Sequence, residues 1–106
     1  MWIDYRCDIE KIYTDIKKID KFPVTCPACN KLNVHIYMHI YDDKTRRGGL
    51  WIWCSKCHSF LHSSIYVPAF WENCELINKE ELCAVPDYLE KNVSLIDVHV
   101  NDLLKK

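Results

Sequence analysis

Four of the seven cysteines form two pairs, and within each pair two residues separate the thiols. Cys26 and Cys29 make the first pair, Cys54 and Cys57 make the second, and residues 30–53 lie between the pairs. Two intervening residues let both thiolates of a tight turn reach one ion, and two such turns complete a tetrahedron with bonds of about 2.3 Å. The spacing therefore predicts one metal ion, which we expect to be a structural Zn2+ bound by all four cysteines.

Three other roles for these cysteines have to be weighed. A single Cys-X-X-Cys pair is also typical of thioredoxin-type redox dithiols, but such a dithiol usually opens a helix, and a strand pattern follows Cys29. A four-thiolate site also accepts iron, as in rubredoxin-like proteins, and the sequence does not separate iron from zinc. A catalytic metal is not expected, because four protein sulfurs leave no coordination position for water or substrate.

The segment between the two cysteine pairs predicts the elements that bring them together. Residues 32–41 alternate strictly between an aliphatic side and a side of polar and aromatic residues, as in a strand with one apolar face. Residues 42–49 are polar and end in the only two glycines of the chain, which indicates a hairpin loop. Residues 50–54 return as a second strand, and a third alternating run ends at Pro68.

These elements place both cysteine pairs at one end of a three-stranded antiparallel sheet. Residues 24–67 thus resemble the zinc ribbon fold, which implies a structural metal between two cysteine turns with the sheet behind them. The resemblance implies no particular function, because ribbons serve many partners. Common ribbons carry glycine after the second cysteine of each pair, whereas this chain has Asn30 and His58. Both residue types adopt positive φ more readily than most, so we expect the turns to form.

Helical patterns flank the predicted sheet. Apolar residues recur at steps of three and four over residues 5–20, which predicts an amphipathic helix before Pro23. A short helix is expected near residues 79–84, and a longer one begins at Pro86. We therefore expect a single α+β domain over residues 1–106. Its parts are an N-terminal helical segment (1–22), the zinc ribbon (24–67) and a C-terminal helical segment (68–106).

The side of the sheet opposite the aliphatic residues is rich in rings. This aromatic face carries His35, Tyr37, His39, Tyr41, Trp51, Trp53, Phe60, His62 and Tyr66. Trp and Tyr are concentrated at recognition hot spots, so an exposed face would bind a partner. The contact residues would then be the exposed members of the set Tyr37, Tyr41, Trp51, Trp53 and Tyr66. Alternatively, the C-terminal segment with Phe70 and Trp71 folds over this face and buries it, and the sequence leaves both interpretations open.

The composition is that of a folded domain, with 49% hydrophobic and 27% charged residues. No stretch approaches the roughly 20 apolar residues of a membrane span, and the first residues lack the apolar core of a secretory signal. We therefore expect a cytoplasmic protein, whose thiols are kept reduced. The three cysteines outside the two pairs are Cys7, Cys74 and Cys83, which we expect to be small buried hydrophobic residues.

An enzyme is not expected, because no nucleophile with an adjacent base and no glycine-rich phosphate loop is recognisable. Acid–base work by His35, His39 and His62 is the remaining catalytic alternative. Two binding functions are left, of which the first is recognition of a protein partner. The second is binding of RNA or single-stranded DNA, with phosphates at Lys44, Arg46 and Arg47 and bases stacked on the aromatic face.

The charge of the chain favours the protein partner. Its net charge is −1 and its pI is about 6.5, whereas nucleic-acid-binding domains are strongly basic. The sequence thus predicts a non-enzymatic protein-binding module, of the kind used as a small cytosolic inhibitor or immunity protein. No motif identifies the partner.

Overall fold

The computed structural model describes residues 1–4 and 9–105 and has an α+β fold, which confirms the predicted class. The strands are β1 (Ile3–Asp4), β2 (Val24–Thr25), β3 (Leu32–Asp42), β4 (Arg47–Cys54) and β5 (Ser59–Tyr66). The α-helices are α1 (Glu10–Thr14), α2 (Asp87–Lys91) and α3 (Val93–Leu104). Two 3₁₀ turns cover Ile16–Lys18 and Lys79–Glu81.

Strands β3, β4 and β5 form the antiparallel centre of the sheet, as the alternating patterns predict. In this register Tyr37 lies opposite Trp51, which lies opposite His62. Directly opposed residues point to the same side of an antiparallel sheet, so the rings share one face. Residues 43–46 join β3 to β4 at one end of the sheet, which we call the hairpin end. The two cysteine turns lie at the other end, the knuckle end.

Within the described part of the chain the sheet has five strands in the order β1-β5-β4-β3-β2, so the prediction of three strands was incomplete. Strand β1 pairs in parallel with β5, and β2 pairs antiparallel with β3. Each of these edge strands has only two residues, and two residues carry no detectable alternation. Their pairing is decided by tertiary contacts.

The N-terminal helix is shorter than the predicted range of 5–20, of which residues 5–8 lie outside the described part of the chain. Helix α1 ends at Thr14, and a 3₁₀ turn (Ile16–Lys18) follows before Ile19 becomes extended. The stripe of isoleucines gives the correct helical period, but β-branched residues lose side-chain freedom in a helix. The N-terminal cap also lacks a side-chain hydrogen bond.

The C-terminal helical segment is divided more finely than predicted. The short helix expected near residues 79–84 is the 3₁₀ turn Lys79–Glu81, whose first residues are capped by the Asn78 side chain. The longer helix expected from Pro86 breaks at Asn92 into α2 and α3. Asn92 has φ −115° and ψ 23°, outside the helical range.

The C-terminal segment covers most of the aromatic face, which decides between the two interpretations of that face. Tyr37, Trp51 and Trp53 are buried, with 0%, 2% and 0% of their surface exposed. The Trp51 Nε1–H donates to the carbonyl of Cys83 over 2.8 Å, and the Cys74 N–H donates to the Tyr37 hydroxyl over 3.2 Å. These three members of the predicted partner-binding set therefore belong to the core.

Part of the outer edge of β3 is also satisfied by the C-terminal segment. Short strand β2 pairs only with the start of β3, at Val34 and Leu32. Further along, the Trp71 Nε1–H donates to the Met38 carbonyl, and the Asn73 side chain bonds both the N–H and the carbonyl of Ile40. Side chains that cap an edge in this way prevent it from pairing with another chain.

Among the described residues, no helix has the length and apolar character required to cross a membrane.

Candidate metal centre

The two cysteine turns have the backbone that metal knuckles need. The Asn30 N–H donates to the Cys26 carbonyl over 2.8 Å, and the His58 N–H donates to the Cys54 carbonyl over 3.0 Å. Asn30 and His58 have φ of 61° and 62°, the left-handed conformation that glycine usually adopts at this position. The expectation that Asn and His permit these turns is confirmed.

The four thiols of the turns converge on one point. All four sulfur atoms lie within 4.8 Å of one another, and the Cys26–Cys57 and Cys29–Cys54 sulfurs are each 3.7 Å apart. A disulfide would bring two sulfurs to about 2.05 Å. A tetrahedron with Zn–S bonds of about 2.3 Å has edges of about 3.8 Å, which matches the observed distances. The cluster of Cys26, Cys29, Cys54 and Cys57 can therefore hold one metal ion.

Polar groups around the cluster are arranged to stabilise negative sulfur. The backbone N–H groups of Ala28 and Cys57 donate to the sulfurs of Cys26 and Cys54 over 3.3 and 3.4 Å. The Ser59 hydroxyl lies 3.2 Å from the Cys57 sulfur. Donors directed at sulfur favour thiolate over thiol, and thiolate is the form that binds a metal.

Burial and hydrogen bonding act in opposite directions on the thiols. Burial raises the pKa of Cys26, and it raises the pKa of Cys54 to about 12. Burial also opposes ionisation of Cys57, but hydrogen bonds from Ser59, Cys54 and Cys26 outweigh it and bring the pKa of Cys57 to about 7. Cys57 therefore ionises readily, whereas the thiols of Cys26 and Cys54 become thiolates when a dication neutralises them.

The second knuckle is attached to the C-terminal segment through Glu90. One carboxylate oxygen of Glu90 accepts from the Trp53 indole N–H over 2.9 Å and from the Ser55 hydroxyl over 2.6 Å. Ser55 lies between the two cysteines of this knuckle, and its N–H donates to the Asn33 carbonyl over 2.9 Å. Sequence analysis missed Glu90, because nothing local marks an acid on α2 as a partner of a distant Trp.

Trp2 packs over the other side of the second knuckle. Its ring centroid is 4.6 Å from that of His58 and 6.4 Å from that of Phe60. The Trp2 indole N–H donates to the Asp87 carboxylate. The N-terminus and α2 are thus joined beside the metal centre.

The other cysteines are not part of the cluster as far as the structure describes them. Cys74 is buried, as expected, whereas Cys83 is exposed, so the prediction of a buried residue was wrong there. The backbone of Cys83 supports Trp51 through its carbonyl, while its thiol donates to the Val85 carbonyl. Cys7 lies outside the described residues. Among residues 1–4 and 9–105, the four paired cysteines are the only group of three or more ligand-type side chains close enough together to hold a metal ion.

The candidate phosphate-binding residues have different positions at the hairpin end. The Arg46 guanidinium donates to the carbonyls of Val67, Pro68 and Trp71 over 3.1, 2.7 and 2.7 Å, so it holds the chain that leaves β5. Lys44 is exposed on the loop. Arg47 is exposed and lies over the Tyr66 ring, 5.5 Å from its centroid. Of the three candidate phosphate-binding residues, only Lys44 and Arg47 are exposed to solvent.

The histidines of the aromatic face take part in side-chain packing. His35 Nδ1 lies 2.8 Å from the Asp97 carboxylate, and His39 Nδ1 lies 2.9 Å from the Tyr37 hydroxyl. Both imidazoles are buried, with 5% and 6% of their surface exposed. The His35–Asp97 pair joins β3 to α3.

Tyr41 and Tyr66 are the two members of the predicted partner-binding set that reach the surface. They are 56% and 67% exposed and lie at the hairpin end of the aromatic face. Beside Tyr41 the face opens into a cavity of about 450 Å³, which Arg47, Gly49 and His62 also line. The cover provided by the C-terminal segment therefore stops before the hairpin end.

Comparisons with models of protein families, with curated proteins and with solved structures found no match to this chain. The likeness to a zinc ribbon therefore depends on the four cysteines and their positions.

Proposed function

We propose that the four cysteines bind one Zn2+ with a structural role. The support is the closed set of four sulfurs, with separations that suit a zinc–thiolate tetrahedron. Such a set leaves no position on the metal for a substrate. Zn2+ has no redox chemistry, and its binding free energy would be used to hold the two knuckles together.

Metal analysis of purified protein tests this proposal. We expect one zinc per chain and a colourless protein. A red protein that contains iron, or a folded protein whose thiols all titrate freely, would overturn it. Spectra with Co2+ in place of zinc would report four-sulfur tetrahedral coordination directly.

We further propose that the domain is a non-enzymatic module that binds a protein partner at the hairpin end. The carrying observation is the uneven cover of the aromatic face, which leaves Tyr41 and Tyr66 exposed while Trp51 and Trp53 are buried. Tyrosine next to an arginine is typical of interface hot spots, and Arg47 lies on Tyr66. Among the candidate partners, a protein suits this small surface better than a nucleic acid, because Arg46 is bonded within the fold.

A domain of this size with one binding surface suits an inhibitor or immunity-type role. In that role it would occupy a surface of its partner and perform no chemistry itself. We place this activity in the cytoplasm, where thiols stay reduced and available to a metal. The partner would approach the hairpin end and leave the metal centre untouched.

Site-specific cross-linking tests where a partner binds. A photoreactive phenylalanine analogue at Tyr66 should capture one discrete protein in cells, and the same analogue at Val98 should not. Val98 is a matched control, because it is 63% exposed and lies on α3. The captured protein should then bind the purified domain in isolation.

The affinity of that complex gives the deciding measurement. Tyr66→Ala and Tyr41→Ala should each weaken binding by about tenfold or more, with only a small change in melting temperature. Val98→Ala should bind like the parent. Equal affinity of all three variants would refute the hairpin end as the interface.

A further inference from the structure

Gly48 and Gly49 line the cavity at the hairpin end. Gly49 belongs to the aromatic face, between Arg47 and Trp51 along β4, and its lack of a side chain lets the Trp51 ring lie close to the strand. A Cβ atom at Gly49 would lie 2.9 Å from the Trp51 ring, so any larger residue would displace that ring. The cavity volume of about 450 Å³ lies within the usual range of ligand sites.

The walls of the cavity are held in place by contacts within the chain. Trp51 stacks on His62 with centroids 4.6 Å apart and an angle of 21° between the ring planes. The Trp51 N–H also fixes residues 82–84, which form one wall, through its bond to the Cys83 carbonyl. Tyr41 packs on His39, with ring centroids 5.1 Å apart. A cavity with fixed aromatic walls is preorganised for a flat apolar group.

The rim of the cavity carries a cation with unused donors. Among the described residues, the side chain of Arg47 makes one hydrogen bond, from Nη1 to the Tyr66 hydroxyl over 3.5 Å. A guanidinium has five N–H donors and suits a carboxylate. Asp42 also lines the cavity and carries a charge opposite to that of Arg47. One of its carboxylate oxygens accepts a hydrogen bond from the Lys44 backbone N–H over 3.0 Å.

We propose that this cavity binds an aromatic ring attached to a carboxylate, with the ring against Tyr41 and His62 and the carboxylate on Arg47. The inference rests on the proposed protein-binding function and names the group that the partner supplies. That group is an aromatic side chain next to an acidic side chain or a C-terminal carboxylate.

Indole-3-propionate is a suitable probe, and NMR of the zinc-loaded full chain is a suitable readout. Gly48 and Gly49 are the only glycines of the chain, and both line the cavity, so their amide signals are easily identified and report on it. We expect indole-3-propionate to shift both signals saturably. Tryptamine has the same ring with a positive charge and should bind about tenfold more weakly. Propionate, which lacks the ring, should leave the signals unchanged.

Charge variants at the rim test the role of the guanidinium. Arg47→Gln should lower the affinity for indole-3-propionate by about three- to fivefold. Asp42→Asn should raise that affinity by about twofold. Lys44→Gln also removes one positive charge, but from the hairpin loop outside the cavity, and its affinity for indole-3-propionate should stay within about twofold of the parent's. Equal losses in Arg47→Gln and Lys44→Gln would overturn the proposed contact.

A cavity-filling variant keeps the test independent of Arg47. Ser64 is exposed on β5 and lines the cavity, so Ser64→Phe should fill it and abolish the glycine shifts while the protein stays folded. Absence of any glycine shift with the parent, or tryptamine binding as tightly as indole-3-propionate, would overturn the inference. A different result would separate the two proposals. If the parent binds the probe but Tyr41→Ala and Tyr66→Ala keep the parent's affinity for the protein partner, the proposed protein interface is refuted and the proposed ligand site in the cavity is not.

Discussion

At the knuckle end of the sheet, four thiols converge and Trp53 is fully buried, whereas at the hairpin end Tyr41 and Tyr66 lie on the surface. Both ends are made by the same strands with the same alternation of rings. They differ in what covers them: Glu90 bonds Trp53 and Ser55 beside the knuckle, while residues 82–84 form one wall of the cavity and leave Tyr41 and Tyr66 exposed. The identity of an aromatic residue in a strand therefore does not decide whether it is buried in the core or exposed to solvent.

The largest expected contrast between the two ends comes from the cysteines. Cys29→Ser should prevent stable folding, because structural zinc sites contribute on the order of 10 kcal/mol, comparable with the stability of a whole domain. Cys83→Ser is the matched control at the rim of the hairpin-end cavity and should change the free energy of unfolding by about 0.5 kcal/mol or less. Thermal melts with and without a chelator give both values. If the Cys29→Ser protein melts at the same temperature as the parent, metal binding by the cysteine cluster does not contribute to the stability of the domain.

Tryptophan and tyrosine truncations should separate the buried end from the open end. Trp53→Ala should cost about 3–5 kcal/mol, as large-to-small changes in a packed core do. Tyr66→Ala should cost about 0.5 kcal/mol or less, since most of its side chain already contacts water. Denaturant unfolding measures the difference. Equal costs at the two positions would show that the hairpin end is as tightly packed as the knuckle end.

Glu90 tests how strongly the C-terminal segment is attached at the knuckle end. Glu90→Ala leaves the Trp53 indole N–H without its acceptor, and should lower the free energy of unfolding by about 1–3 kcal/mol. Glu90→Gln keeps an oxygen acceptor and should cost less. Glu75→Ala removes an exposed acid and controls for the change in net charge. If Glu75→Ala and Glu90→Ala unfold at the same denaturant concentration, the hydrogen bonds of Glu90 to Trp53 and Ser55 do not contribute to stability.

The smallest expected effect concerns acid and His39, near the boundary of the covered region. Burial lowers the pKa of His39, and the charge of Lys79 lowers it further. The unfolded chain therefore takes up this proton at a higher pH than the folded chain does. The resulting loss of stability begins as pH falls through about 6.5, the ordinary pKa of histidine.

The matched measurement compares melting temperatures of the parent and His39→Gln between pH 7.5 and pH 5.5. The difference between the two proteins isolates His39, because protonation of the four clustered thiols affects both. The parent should lose more stability than the variant over this range. Parallel curves would show that His39 contributes nothing to the acid sensitivity.

Local spacing within the sequence was sufficient to predict the candidate metal site. Two residues between cysteines fix the geometry of a turn, and the strand alternation that follows returns the second pair to the first. The conformations of Asn30 and His58 followed from their intrinsic tolerance of positive φ. Each of these predictions depends on residues a few positions apart or on a hairpin, so the sequence pattern carries the information.

Tertiary structure decided which parts of the aromatic face and of the hairpin loop face solvent. Arg46 and Arg47 are adjacent and carry the same charge, yet one is bonded to three carbonyls and the other lies on an exposed tyrosine. Trp53 and Tyr66 occupy the same face, yet only Trp53 has α2 over it. The physical reason is that burial depends on where the distant C-terminal segment packs, and the strand residues that it covers carry the same local pattern as those that it leaves exposed.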